Sequence, residues 1–192
     1  MRNVVLIVDM LKGFYNIGAL ANPRMANIIP NVVELLDSKS KQGYELIFVR
    51  DRHKPDDKEF ETWPPHCIEG TKEAEIIDEL KEFTGPHKKN TEPPIYLLKT
   101  RYSGFFETEL EYLLRTRKKP EQVIVVGVCT DICILHTVAD LRMRDYKVIV
   151  PKDCVETFDS PEHPADETNK WALGHMKNIL GAEIVERGKQ IE

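Results

Sequence analysis

The stretch QVIVVGVCTDICILHTVADLRMR, from Gln122 to Arg144, carries a buried strand through a polar turn and straight into a helix. An unbroken apolar run of strand length is the mark of a strand covered on both faces, and the change to helical spacing after TDIC makes the segment one unit of an α/β fold. Cys133 falls in the first turn of that helix. Free backbone NH groups and the positive end of the helix dipole favour a thiolate there, and they also bind an oxyanion. A structural cysteine is the competing reading. Two partners weigh against it: Asp9 closes the strand NVVLIVD, and Lys99 closes the strand PPIYLLK. In an open parallel sheet the carboxyl ends of the strands form the ligand crevice, so carboxylate, ammonium and thiol are expected to meet there.

Outward from this unit, apolar runs alternate with segments of helical period, which predicts a doubly wound parallel sheet with helices on both faces. Six strands are expected: Val4 to Asp9, Glu45 to Asp51, Ile95 to Lys99, Gln122 to Val126, Lys147 to Val150 and Glu183 to Val185. Gly127 then marks the turn after the fourth. Helices are expected over Asn22 to Ser40, Glu73 to Lys81, Glu107 to Arg117, Asp131 to Arg144 and Pro164 to Leu180. With 192 residues the chain is read as one domain, 1–192.

The balance of 27 Lys and Arg against 32 Asp and Glu gives a net charge of −5, and no basic tract or aromatic array points to nucleic acid. No apolar segment is long enough to span a bilayer and no cleavable signal precedes the first strand, so a cytoplasmic protein is expected. Cys67, Cys129, Cys133 and Cys154 follow neither a disulfide framework nor a zinc-ribbon pattern, and are read as reduced thiols. The first strand is followed by DMLKGFYN, with the single Gly13, so no phosphate-binding glycine loop supports a dinucleotide-binding module.

The irregular stretch from Arg52 to Thr71 has the length of a functional loop. At its start VRDRHKPDD places Asp51 and His53 two residues apart, on one side of an extended backbone. TWPPHC adds His66, held by Pro64 and Pro65, and Glu59 lies between. One carboxylate and two imidazoles form a ligand set for zinc, iron or manganese, with Glu59 a candidate further ligand. A solvated loop is the plain alternative. Asp9 is placed to take the proton of Cys133, and Lys99 to hold Asp9 ionised and stabilise the thiolate, since a thiol of pKa about 8.5 needs such help at neutral pH. Phe14, Trp63 and Tyr102 are candidate walls of a slot for a flat ring, each with core packing as the alternative. His87, His136, His163 and His175 show no partner pattern and are read as surface or helix residues.

Taken together, IVDM, DRH, WPPHCIEGT, LLKTRYSGF and VGVCTDIC, in this order, resemble the isochorismatase-like cysteine hydrolases, and within them the nicotinamidases. The resemblance implies a six-stranded sheet and a triad of Asp9, Lys99 and Cys133 that attacks an amide carbonyl. It also implies a cis peptide between Val128 and Cys129, with the backbone NH groups of Cys129 and Cys133 forming the oxyanion hole. A divalent ion, zinc foremost, on Asp51, His53 and His66 then binds the pyridine nitrogen of nicotinamide between Phe14 and Trp63. Leu11 departs from the family pattern, which has Gln two positions after the first Asp. Another small amide or a carbamoyl compound, as in the N-carbamoylsarcosine amidases, is the alternative substrate. Family members form oligomers, so a homo-oligomer is expected.

Overall fold

The structure, a computed structural model, describes residues 3–85 and 93–186; His87 lies outside them. Strands β1 (Val4–Val8), β2 (Glu45–Asp51), β3 (Ile95–Lys99), β4 (Gln122–Val128), β5 (Lys147–Pro151), β6 (Val155–Glu156) and β7 (Glu183–Val185) form one sheet. Every pairing is parallel, and the order is β3-β2-β1-β4-β5-β7, with β6 attached to the end of β4. Among the described residues the sheet therefore has seven strands, not six. The extra one is two residues long, too short to leave a hydrophobic period in the sequence.

All five side chains of β1, VVLIV, are buried, each worth about 1.5–3 kcal/mol relative to exposure. Alternation divides them between two cores. Val5 and Ile7 pack with Val32 and Leu36 of α2 (Ile29–Lys41), while Val4, Leu6 and Val8 pack with Val138 and Leu141 of α4 (Leu135–Arg142) and Met176 of α5 (Ala165–Asn178). Helices thus cover both faces and the fold has three layers.

Differences from the expected helices have local causes. The segment from Asn22 opens as a 3-10 turn, Pro23–Ile28, where the Asn22 side chain accepts the NH of Arg24, and becomes α-helical only at Ile29. The expected helix from Glu73 to Lys81 is two 3-10 turns, Lys72–Ala74 and Asp78–Phe83, because its apolar residues Ile76 and Ile77 serve an extended link: Leu11 bridges Ile76 and the Ile77 NH bonds the Met10 carbonyl. Over Glu107 to Arg117 only Leu110–Tyr112 is α-helical, running on into the wider turns of Leu113–Lys118. The two shorter α-helices are α1 (Lys12–Tyr15), which carries Phe14, and α3 (Leu110–Tyr112).

Gly127 is not a turn residue but lies inside β4, with φ of +121°. A Cβ there would sit 1.9 Å from the Val8 carbonyl oxygen, so only glycine lets β4 and β1 close at this height. The order reverses between β1 and β4, the place where open α/β sheets put their ligand crevice. Asp9 follows directly, at φ of +53°, a conformation open to aspartate more than to most side chains. Among the described residues no helix is long and apolar enough to cross a membrane.

Candidate active site and metal centre

Register brings the charged groups together. Asp51 and Lys99 are direct partners across β2 and β3, and Asp9 stands one residue beyond Val8, beside both. Lys99 Nζ lies 2.8 Å from Asp9 Oδ2, 3.0 Å from Asp51 Oδ1 and 3.5 Å from Cys133 Sγ. An ammonium has three donors, and here each meets one anionic or nucleophilic atom. Asp9 Oδ1 accepts the backbone NH of Asp51 at 2.7 Å. All four side chains are buried.

Burial sets the protonation pattern. Desolvation raises the Asp9 carboxyl above its ordinary value, with Lys99 pulling the other way. Burial, with Asp9 and Asp51 adding to it, likewise pushes the Cys133 thiol well above its ordinary value against the pull of Lys99. Lys99 thus pulls the sulfur towards the thiolate while burial and the two carboxylates pull the other way, and Asp9 lies within hydrogen-bonding reach of it.

Cys133 and Cys129 stand at opposite ends of the turn Thr130–Ile134, where the NH groups of Ile132 and Ile134 both return to the Cys129 carbonyl at 3.1 Å. The Val128–Cys129 peptide is cis. Both cysteines line a cavity of about 170 Å³ whose other walls include Phe14, Trp63, Tyr102 and Phe158, with Asp51, Glu59 and His66 at one side. Asp9 and Lys99 do not line it; they act from behind Cys133. Trp63 is fixed by donating its indole NH to the Tyr102 hydroxyl at 2.9 Å. Phe158, which the sequence reading missed, faces Trp63 edge-on at 6.2 Å. Leu11, where the family pattern has Gln, is buried in the apolar cluster with Met10, Phe14 and Ile77.

The loop after β2 folds back on itself, since His53 NH bonds the Cys67 carbonyl at 3.1 Å and Glu69 NH bonds the His53 carbonyl at 2.9 Å. That short ladder sets His53 beside His66, with ring centres 4.6 Å apart. Asp51, His53, Glu59 and His66 are all buried, and their ligand atoms lie within 4.8 Å of one another. The Nε2 atoms of His53 and His66 stand 3.1 and 3.2 Å from Asp51 Oδ2. Tetrahedral ligands about 2.1 Å from a zinc ion lie about 3.4 Å apart, so the spacing suits such an ion. Nδ1 of His53 faces Asp57 Oδ2 at 3.0 Å and Nδ1 of His66 faces the Pro64 carbonyl at 2.9 Å. Each Nδ1 must carry the hydrogen, which turns the Nε2 lone pairs inward. His53 Nε2 and Glu59 Oε2 are buried without a hydrogen bond, although Arg101 Nη1 lies 3.5 Å from the latter. The inward-facing imidazole nitrogens and carboxylate oxygens converge on one point, and the residues fit a divalent metal ion.

The same crowding shows in the electrostatics. Against the cost of burial, Lys99 and the two imidazoles hold Asp51 well below the usual carboxylate range. Burial opposes the charging of His53, but Asp51, Asp57 and Glu59 outweigh it and raise its pKa to about 9. Asp51 is thus shared, one oxygen on Lys99 and the other on the histidines, a link between the two clusters that D-x-H spacing does not reveal.

Asp57 was invisible to the sequence reading. It orients His53 through Oδ2, while its Oδ1 accepts the Glu59 NH at 2.9 Å and the Arg101 guanidinium at 2.9 Å. Asp57→Ala is expected to weaken divalent-metal affinity by about 10–100-fold, read by competition with a chromophoric chelator. Unchanged affinity would remove Asp57 from the support of the site. Of the remaining histidines, His136 bonds the Ile132 carbonyl and His175 stacks on Trp171, but His163 is paired with Asp131, against the expectation of an unpartnered residue.

Comparison with known proteins agrees with this geometry. The isochorismatase domain is matched over residues 3–185. The chain belongs to the isochorismatase family. It is similar to the crystal structure of nicotinamidase PncA from Bacillus subtilis, with 32% identity and a TM-score of 0.85 over 97% of this chain and 100% of that one. It is also similar to N-carbamoylsarcosine amidase from Thermoplasma acidophilum, with 28% identity and a TM-score of 0.82 over the whole of both chains. A third similar structure, the pyrazinamidase of Pyrococcus horikoshii in complex with zinc, shares 27% identity and a TM-score of 0.80 over 97% of this chain and 99% of that one. As an isochorismatase-family hydrolase the chain has its overall fold in common with all three.

Proposed function

We propose that this hydrolase is a metal-dependent nicotinamidase, a single domain that converts nicotinamide to nicotinate and ammonia through a thioester on Cys133. The observation that carries this reading is the character of the cavity. Its walls are aromatic and apolar, its polar groups gather at the thiol and at the Asp51, Glu59 and His66 side, and none of the described residues lining it is Lys or Arg. A flat, uncharged amide suits such a slot, since no Lys or Arg among the lining residues is offered to a substrate carboxylate.

In the reaction Asp9 takes the Cys133 proton as the sulfur attacks the carboxamide carbon. The oxyanion is met by the NH groups of Cys129 and Cys133, which costs no reorganisation in a dry site. Asp9 returns the proton to the leaving nitrogen, the C–N bond breaks, and ammonia departs. Water then attacks the thioester with Asp9 as base, and the C–S bond breaks to release the acid and the thiol. Lys99 keeps Asp9 and Asp51 in place throughout. An ion held by Asp51, His53, Glu59 and His66, zinc foremost, would supply a Lewis acid for the ring nitrogen.

The second reading, a carbamoyl amidase, is favoured by the likeness to N-carbamoylsarcosine amidase. The deciding experiment is ammonia release by the purified protein from nicotinamide and from N-carbamoylsarcosine, before and after chelation and with zinc, iron or manganese restored. Nicotinamide turnover lost with chelator and regained with metal is expected. Turnover of the carbamoyl compound alone would overturn the nicotinamide reading while keeping the cysteine chemistry.

A further inference from the structure

His163 lies on the loop before α5, 32 residues beyond Asp131, and both of its ring nitrogens face oxygen. Nδ1 is 2.9 Å from the Phe158 carbonyl and Nε2 is 2.9 Å from Asp131 Oδ2. A carbonyl and a carboxylate only accept, so both nitrogens donate and the ring is an imidazolium. Its plane lies against Phe158, with ring centres 3.9 Å apart and 9° between the planes, a cation on an aromatic face. Asp131 belongs to the turn between Cys129 and Cys133, and its other oxygen accepts the Thr157 hydroxyl at 2.6 Å. One charged pair therefore joins the turn that carries the nucleophile to the loop that carries a wall of the cavity.

We infer that His163 is a positioning residue, which as a cation held by Asp131 fixes the Phe158 ring against Trp63 and so sets the width of the substrate slot. The inference rests on the proposed function only for its substrate. Nothing about the wall requires nicotinamide, and the wall acts on whichever flat amide enters. On its own element His163 meets the Phe158 carbonyl, and across the gap it meets Asp131, the group that balances its charge. This side of the slot is thereby built from three rings in sequence, Trp63 edge-on to Phe158 and Phe158 stacked on His163, and is held by the same turn that presents Cys133.

The test uses the full-length protein loaded with metal. In His163→Ala, KM for nicotinamide is expected to rise about tenfold with kcat changed far less, the size expected for loss of a charged hydrogen bond that orders the slot. Phe158→Leu should raise KM similarly, and the double variant should add little to either single one, because His163 acts through Phe158. A readout free of substrate identity is alkylation of Cys133, followed by mass spectrometry, with iodoacetamide and with the bulkier N-phenylmaleimide. Loosening the wall should raise the maleimide to iodoacetamide rate ratio in both single variants. If His163→Ala does not fold, Phe158→Leu and the more conservative His163→Gln, which keeps one donor for Asp131 and should recover part of the wild-type ratio, carry the test. A folded His163→Ala protein with unchanged KM and unchanged rate ratio, or additive effects of the two substitutions, would overturn the inference. A wild-type protein inert to nicotinamide whose variants still show the raised ratio would support the wall and sink the nicotinamide reading.

Discussion

Cys133→Ala is expected to lower the rate of amide hydrolysis by about 10⁴- to 10⁶-fold, the scale seen when a covalent nucleophile is removed. Asp9 then has no proton to take, and the NH groups of Cys129 and residue 133 face a carbonyl that nothing attacks. The fold should survive, since the side chain is small and its closest polar partner, Lys99, keeps Asp9 and Asp51. The check is ammonia release under saturating substrate, together with trapping of a thioester by mass spectrometry in the wild-type protein and its absence in the variant. A variant that keeps more than a hundredth of the rate would show that the sulfur does not carry the chemistry.

Lys99→Met is expected to have the second largest effect, and on two quantities at once. It removes the only ammonium that touches Asp9 and Asp51 among the described residues, leaving two buried carboxylates face to face. Breaking a buried pair from one side costs about 3–5 kcal/mol, because the remaining charge is uncompensated. Activity should fall with it, as Asp9 becomes a neutral acid that accepts no proton from Cys133. The pH dependence has a definite sign. Asp9 already has its folded-state pKa raised by burial, above an unfolded value of about 3.9, and loss of Lys99 raises it further. A carboxyl raised in this way favours folding when protonated: its contribution is full below the unfolded value and is lost as pH rises through the folded one. The stability gap between Lys99→Met and the wild type, read by thermal unfolding across pH, should therefore narrow as pH falls. A gap that is constant across pH would mean that Lys99 contributes packing, not charge compensation.

Much of this was legible in the chain itself, and the reasons differ by residue. Glu45–Asp51, Ile95–Lys99 and Glu183–Val185 match their expected bounds: the first is buried on both faces and written as an apolar run, and the two edge strands, though partly exposed, still carry short apolar runs between polar segments. The segment from Glu73 to Lys81 was misread because the same residues that satisfy a helical period were needed for an extended link to Met10 and Leu11. Asp9 and Lys99 stood out as polar groups closing apolar strands and Cys133 as a thiol in the first helical turn after one, and the structure brings them to one another. His53 and His66 stood out by type and by neighbouring prolines. Asp57, Arg101, Phe158 and the pair Asp131 and His163 did not, since each works through hydrogen bonds or ring contacts that spacing along the chain does not encode.

The sequence by itself determined the class of fold, the location of the crevice and the kinds of group available in it, because hydrophobic period and strand-ending residues are local properties of the chain. Only the tertiary structure decided how those groups share charge: that Asp51 serves Lys99 with one oxygen and two imidazoles with the other, that burial raises the Cys133 thiol against the pull of Lys99, and that a histidine 30 residues beyond Cys133 pairs with Asp131 of its turn. Burial and distances of about 3 Å between residues remote in sequence set these outcomes, because electrostatic strength depends on separation and desolvation, which exist only once the strands and loops have closed on one another.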